Sequence, residues 1–556
     1  MPLHEQLSRL RISKNFSQEK LANELNVSRQ AVQKWETGTG TPELENLIKI
    51  SRYFNVSLDS LVQGGGDRST EHLRGTGEAH ARYDQLRARG EYYPSVLMLE
   101  YQQCLEEGRD VHPYEALFDA VSHMPEGYDQ SRIAEILHEI AVCAPELENY
   151  PYREPNELRV IRTLCAPAQA MPRPCPARVV LQERVLGAVC GRMVGCLLGK
   201  PIEGIHTDEL YPLLKESGNW PLHRYLRSTD VTPERAAQST FHFSGRRFVD
   251  TVACAPNDDD TNYVLLAQIL IDRYGRDFTS ADVGRLWLDF QPKKAFYTAE
   301  RVAYINLSRG LLPPDSAQYK NPFRERIGAQ IRADYFGYIN PGDPATAAEM
   351  AWRDGRVSHV KNGIYGEMMV AAMLAEAAVE TSLEKIVRAG LSQIPTTSRL
   401  HKAITGILEG WRRGVSRHEC FLRIHQRFDE HLGHDWCHVL SNAMVVAASL
   451  LYGGGDFGAS ICMAVETGFD TDSNGATVGS ILGMRGGIRA IGEEWLRPLN
   501  GRMDTSLSGT GQITIEELVE KTMTHMPSAA GGQGTPERRR ENARQGSRSE
   551  RAQKEV

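Results

Sequence analysis

The chain has 556 residues, of which 41% are hydrophobic and 24% charged, and its formal net charge is −7. That length exceeds one hydrophobic core and predicts about two to four domains of ordinary globular composition. The mild acidity excludes a global pull toward nucleic acid or membrane, so any such partner must meet one local region.

Ten cysteines occur without a C-x-x-C pair, which points to reduced thiols. The start, Met1-Pro2-Leu3-His4-Glu5, lacks the charged-then-apolar pattern of a signal segment. The most apolar stretch, Val439 to Leu451, is too short to span a bilayer and contains Ser441 and Asn442. A cytoplasmic protein with no membrane partner is expected.

Residues 1–63 carry helix start signals. Ser17 precedes Gln18-Glu19-Lys20, Ser28 precedes Arg29-Gln30-Ala31, and Thr41 is followed by Pro42 at an expected first helical position. Leu21, Ala22, Leu25, Val27, Val32 and Trp35 supply a small core, with Leu44, Leu47, Ile48, Phe54 and Leu58 behind it. A helix, a tight turn at Asn26 and a second helix form the geometry that lays a helix in a DNA major groove. The run from Phe16 to Ala22, then Val27 to Glu36, Gly38 and Pro42, strongly resembles Xre/Cro-type helix-turn-helix repressors. The resemblance implies DNA binding, with Ser28, Arg29, Gln30, Gln33 and Lys34 exposed on the recognition helix and Gln18 at a phosphate. Eight Lys/Arg against seven Asp/Glu leave a net charge of only about +1 here, a weak electrostatic draw for one copy. A homodimer on paired half-sites is therefore expected, with binding of a protein partner as the alternative.

Gly64-Gly65-Gly66 opens a polar linker over 64–90. Helical periodicity returns in 91–179, at Val96-Leu97-Met98-Leu99, Leu117-Phe118-Val121 and Ile133-Ile136-Leu137-Ile140, and reads as scaffold ending in the proline-rich run from Ala166 to Pro176. Residues 180–525 read as one large helical domain, and 526–556 as a disordered Gly/Arg/Glu-rich tail containing Arg538-Arg539-Arg540. The fold class is all-α.

Within the large domain, Gly187, Gly191, Gly195 and Gly199 recur along an apolar helix, a pattern that lets neighbours approach closely in a buried centre. That helix breaks at Pro201 and delivers Glu203, a candidate general acid/base. Asp258, Asp259 and Asp260 open one later helix; Asp470, Asp472 and Ser473 open another. One aspartate suffices for a cap, so runs of this kind exceed capping needs. Brought together, such carboxylates require a cation, and all-oxygen ligands suit Mg²⁺, Mn²⁺ or Ca²⁺ rather than zinc. His431, His434, Cys437 and His438 have zinc-ligand chemistry but run into an apolar helix, where packing is the favoured reading. Gly453-Gly454-Gly455-Asp456 reads as a turn, not a phosphate loop.

Gly195-x3-Gly199-x-Pro201-x-Glu203, Asp258 to Thr261, Ser358-His359 with Gly363-x2-Gly366, and Gly468 to Gly475 resemble, in order, the motifs of ADP-ribosylglycohydrolases. The similarity extends over nearly all of 180–500 and implies an orthogonal all-α fold that holds two Mg²⁺ ions (sometimes Mn²⁺) and cleaves ADP-ribose from a target. It implies metal ligation by Asp258, Asp259, Asp260, Asp470, Asp472 and Ser473, a catalytic role for Glu203, and ADP-ribose contacts at Ser358 and His359. Asp258 and Ser473 stand where the family has Thr or Ser and Thr, and Phe469 is expected to crowd the pocket. The target implied is an ADP-ribosylated protein, nucleic acid or small molecule. The alternative is a transcriptional regulator whose large domain senses ADP-ribose or another NAD-derived metabolite without turnover.

Overall fold

Capping chemistry sets where the N-terminal helices begin. The computed structural model describes residues 3–14, 16–42, 44–54, 92–166 and 175–527. It opens with α1 (Leu3–Ser13), α2 (Gln18–Glu24), α3 (Arg29–Glu36) and α4 (Leu44–Phe54). The Ser17 hydroxyl accepts from the Lys20 N–H and the Ser28 hydroxyl from the Ala31 N–H, each at 3.1 Å, so both expected caps form. Asn26 turns the chain with φ 52°, a left-handed conformation that asparagine tolerates. Pro42 precedes the fourth helix and is not within it. Leu58, residues 64–90, residues 167–174 and residues 528–556 lie outside the described residues, as do the side chains of Leu44 and Ile48.

The described residues divide into two compact units, one drawn from 1–151 and 319–323, the other from 152–318 and 324–527. In the first, Leu21, Leu25, Val32 and Trp35 are buried, and Leu7 and Ile50 join them. Three further helices, α5 (Leu97–Glu106), α6 (Glu115–Ser122) and α7 (Tyr128–Cys143), carry Leu97, Phe118, Val121, Ile133 and Leu137 into the same apolar cluster. Ile136 is exposed, on the outer face of α7. The segment read as a single scaffold over 91–179 is thus divided at residue 151: α8 (Leu158–Leu164) belongs to the large unit and buries Ile161 there.

The large unit is helical throughout, and its strands among the described residues are one antiparallel pair, Arg502–Asp504 with Gln512–Thr514. Its axis is α9 (Arg178–Gly199), buried on all sides from Gly187 onward. Among the described residues this is the one helix long and apolar enough to cross a membrane, and it serves as core. Against it runs α16 (Thr471–Gly486), antiparallel; before it in sequence come α10 (Thr207–Glu216), α11 (Asp259–Tyr274), α12 (Pro344–Gly355), α13 (Lys361–Ala377), α14 (Val439–Tyr452) and α15 (Phe457–Glu466). A methyl group placed on Gly187, Gly191 or Gly195 would overlap the carbonyl oxygen of Gly483, Gly479 or Gly475 respectively. Both helices carry glycine every fourth residue, so their backbones meet along a glycine seam. The α9 half of the seam is legible from its spacing, and Gly475, Gly479 and Gly483 form the matching stripe on α16.

Candidate functional site

The seam ends at the site. A side chain on Gly199 would strike the backbone of Thr471 and Asp472, and the Thr471 hydroxyl donates to the Gly199 carbonyl at 3.0 Å. The C-terminal end of α9 is thereby held against the N-terminal end of α16. The N-terminus of α11 joins them through Arg192, a buried guanidinium two turns back on α9. Its Nη2 pairs with Asp260 Oδ1 at 2.9 Å, its Nε donates to the Asp260 carbonyl at 2.5 Å, and its Nη1 pairs with Asp334 Oδ2 at 2.8 Å. Tyr338 donates to the other oxygen of Asp334 at 3.0 Å, as does Ser480. A charge this deep is tolerated because nearly every donor finds an acceptor.

Aspartates from two sequence-distant runs therefore converge. Carboxylate oxygens of Asp258, Asp260 and Asp472 and the Sγ of Cys196 all lie within 4.8 Å of one another, and all four residues are buried. Asp258 caps α11, accepting the Asp260 N–H on Oδ1 at 3.0 Å. Ser473 donates to Asp260 Oδ2 at 3.2 Å. Burial, followed by their acidic neighbours, pushes the carboxyls of Asp259, Asp260 and Asp470 well above the usual range. Burial would raise Asp472 as well, but the Lys200 ammonium at 2.9 Å holds it below. Asp470 is fixed through its N–H to Asn442 Oδ1 on α14 at 3.1 Å and accepts the Cys437 thiol at 3.4 Å.

This set fits a hard divalent cation. Asp472 Oδ1 is buried and has no hydrogen-bond partner, an orphaned acceptor aimed into a group of oxygens. Burial and the neighbouring aspartates raise the Cys196 thiol far above its normal range, and its Sγ is the one sulfur in a group whose other donors are oxygens.

Glu203 stands at the mouth of the cage, with its side chain 31% exposed and Oε2 2.7 Å from Lys200 Nζ and 3.8 Å from Arg246. Burial pushes its carboxyl up to about 7, with Asp472 adding to the rise and Lys200 opposing it. A carboxyl poised near neutrality can exchange a proton with a bound water. Arg246 lies over the Phe241 ring at 4.5 Å on the same rim.

The remaining site candidates have settings of their own. Ser358 and His359 are buried in the turn between α12 and α13, their side chains 2.8 Å apart, with His359 Nε2 unpartnered and Arg332 beside it lowering its pKa further after burial. Phe469, expected to crowd the pocket, adopts φ 57° and buries its ring against His425, with centroids 4.8 Å apart. The zinc-like run divides: His434 and His438 stay side by side, their rings 5.1 Å apart, while the other two turn to other partners. His438 caps α14 by accepting the Leu440 N–H, His431 pairs with Asp429 at 3.0 Å, and Cys437 turns to Asp470. Asp456, after the three glycines, caps α15. Arg192, Cys196 and Lys200 belong to no motif in the sequence, although their four-residue spacing aligns them along one face of α9 and the turn that follows it.

In the N-terminal unit, α3 buries Val32 and Trp35 and leaves Ser28, Arg29, Gln30, Gln33 and Lys34 exposed. Glu36 ties this helix to its neighbours: Arg11 Nε pairs with it at 2.6 Å and Gln18 Nε2 donates to it at 2.7 Å. Gln18, expected at a phosphate, thus has one amide donor engaged within the protein.

A helical domain whose acidic helix N-termini close on a shared oxygen cage, joined to a helix-turn-helix unit, defines a two-part class of protein. The family model of ADP-ribosylglycohydrolases matches residues 177–530, and the chain belongs to that family. A helix-turn-helix family model matches residues 7–61. The N-terminal part is 48% identical over 64 residues to the HTH-type transcriptional activator BcrR of Enterococcus faecalis, covering 12% of this chain and 31% of that protein. It is 40% identical over 60 residues to the prophage-derived HTH-type regulator YonR of Bacillus subtilis, covering 11% of this chain and 56% of the relative. The phage repressor RstR of Vibrio cholerae is 36% identical over 61 residues, covering 11% of this chain and 54% of its own. The chain thus spans about a third to just over half the length of these relatives. A solved structure, an ADP-ribosylglycohydrolase-related protein complex, aligns with a TM-score of 0.36 at 19% identity over 62% of this chain and 97% of that one.

Proposed function

We propose that the protein is a divalent-metal-dependent hydrolase that removes ADP-ribose from a modified protein, nucleic acid or small molecule, and that its helix-turn-helix unit directs it to specific DNA. The observation that supports this most is the meeting of Asp258 and Asp260 from the start of α11 with Asp472 from the start of α16, with Asp472 Oδ1 unpartnered and Glu203 at the opening. Asp258, Asp260, Asp472 and Ser473 would hold Mg²⁺ or Mn²⁺, with Asp259 and Asp470 on the flanks. Such an ion supplies Lewis acidity toward ribose hydroxyls and water.

The chain's own groups do the rest. Glu203, as carboxylate, takes a proton from water as its oxygen bonds to the anomeric carbon; the bond from that carbon to the leaving group breaks, and the proton passes on to the leaving group. The surrounding carboxylates stabilise the positive charge that builds on the sugar. Arg246, on the open side of Glu203, supplies a cation for the diphosphate. The exposed Arg29, Gln30, Gln33 and Lys34 supply base and phosphate contacts, and cytoplasmic, dimeric operation follows from that role.

The test is release of ADP-ribose from ADP-ribosylated substrates in Mg²⁺. Wild type should turn over and Glu203→Gln should lose a factor of roughly 10²–10⁴ while still binding ADP-ribose. No turnover on any ADP-ribosylated substrate, with metal bound, discards the hydrolase. One observation favours the sensor reading instead: Glu203 is engaged by Lys200 at 2.7 Å. A sensor would release its operator on adding ADP-ribose, and Glu203→Gln would leave that response intact.

A further inference from the structure

His431 leaves its sequence neighbours for partners far away in the chain. Its Nε2 is 3.5 Å from Asp208 Oδ2, and its ring centroid is 4.3 Å from that of His206. One ligand atom from each of His206, Asp208 and His431 lies within 4.8 Å of the others. All three belong to the large unit, and the group shares no residue with the carboxylate cage.

A clamp between the two segments holds the group together. The buried carboxylate of Glu430 accepts the Thr207 N–H at 2.8 Å and the Thr207 hydroxyl as well, which ties the start of α10 to the turn at Glu430. The residues flanking the two clamped positions, His206 and Asp208 on one segment and Asp429 and His431 on the other, are brought side by side. Asp429 Oδ1 accepts from both the backbone N–H and the ring Nδ1 of His431, each at 3.0 Å. A carboxylate on one ring nitrogen fixes the tautomer that offers the other nitrogen as a lone pair, the arrangement usual for metal-binding histidines. Here the other nitrogen is Nε2, which faces Asp208.

Two imidazoles and one carboxylate suit Zn²⁺, in contrast to the hard ions that an all-oxygen set favours. Ligand atoms around a tetrahedral zinc stand roughly 3.3 Å apart, given bonds of about 2.0–2.2 Å, and His431 Nε2 already lies 3.5 Å from Asp208 Oδ2. The side chains of His431 and Asp208 are 52% and 66% exposed, so an ion can enter and keep water in its fourth position. An imidazolium at His431 would satisfy the two aspartates but gives His206 no role; a metal ion takes all three ligands.

We propose that His206, Asp208 and His431 form a Zn²⁺-class metal site, with three protein ligands and a fourth position open to water. Glu203 is three residues before His206, so the ion fastens the segment that carries Glu203 to the turn at Glu430. The inference is independent of the hydrolase reading and of any metal in the cage.

The test titrates untagged full-length protein with Co²⁺, whose visible absorption reports tetrahedral nitrogen and oxygen ligands, in excess Mg²⁺ to fill the carboxylate cage. Wild type should develop the tetrahedral band, and Zn²⁺ should displace it. Asp429→Ala, which loosens the His431 ring without removing a ligand, should weaken binding by about tenfold. His206→Gln and His431→Gln should each weaken it by more and abolish the band, while melting in EDTA as wild type does. No tetrahedral band in wild type overturns the site. So does a band that survives both histidine substitutions, or one that Mg²⁺ competes away, which would assign the ion to the cage.

Discussion

The recognition helix and the carboxylate cage handle polar side chains in opposite ways. On α3 the five polar candidates are exposed and only Val32 and Trp35 hold the helix in place, so function and stability reside on different faces. In the cage the candidate carboxylates are themselves interior groups, pinned by Arg192, Ser473 and Lys200. Binding to an extended polymer needs an accessible surface, whereas stabilising charge at one reacting carbon needs a site from which water is largely excluded. The price of the second solution is that its residues cannot be altered without disturbing the fold.

Four substitutions probe that contrast. The largest effect is expected from Arg192→Met, which leaves Asp260 and Asp334 buried without their cation. Thermal or urea unfolding should register a loss of about 3–5 kcal/mol, and an unchanged midpoint would mean that the cage does not depend on its buried partner. Next is Gly195→Ala, whose added methyl meets the Gly475 carbonyl across the seam. Because the obstacle is backbone, a cost of about 3 kcal/mol is expected in the same measurement. On the other side of the comparison, Arg29→Ala with Lys34→Ala should leave the melting temperature within experimental error. Operator affinity should fall by about 1–3 kcal/mol for each side chain withdrawn from a base edge, and the salt slope should flatten by about one for each cation withdrawn from a phosphate, read by fluorescence anisotropy across a salt series.

The smallest effect is a pH-dependent one. Glu209 on α10 accepts from the N–H groups of Thr240 at 2.9 Å and Phe241 at 3.2 Å and from the hydroxyls of Ser239 and Thr240, holding the loop that supports Arg246. Burial raises this carboxyl, but those hydrogen bonds outweigh it and bring it down to about 2 from an ordinary 4.5. A depressed folded-state pKa contributes stability above the unfolded value and loses it as pH falls through the folded one. The melting difference between wild type and Glu209→Gln should therefore be constant near neutral pH and vanish between about pH 4.5 and 2. A difference that persisted to pH 2 would assign the effect to packing.

The same contrast governs what could be read from the chain. The helix-turn-helix was legible because its caps, turn and core fall within a few dozen consecutive residues, and Ser17, Ser28 and Asn26 each act through near neighbours. The acidic runs were legible as an excess over what capping needs, and the fold brings three of their aspartates together. The partners of those aspartates were not legible, because Arg192 and Lys200 meet them only when α9 and α16 lie antiparallel at the glycine seam. Gln18 likewise reads as solvent-facing until Glu36 is brought beside it from the next helix. His359 follows a local pattern, but its burial beside Arg332 is set by tertiary packing that no local pattern encodes.

The glycine seam also determines how the cage can move. Two helices meshed carbonyl against glycine every fourth residue cannot creep past each other, since any intermediate offset puts a side chain where only hydrogen fits. The next permitted alignment is a full four-residue jump of about 6 Å. The seam works as a ratchet with its next notch out of reach, so the spacing between Asp472 and the end of α9 is as invariant as the peptide backbone itself, and adjustment to a substrate falls to Glu203 and the rim.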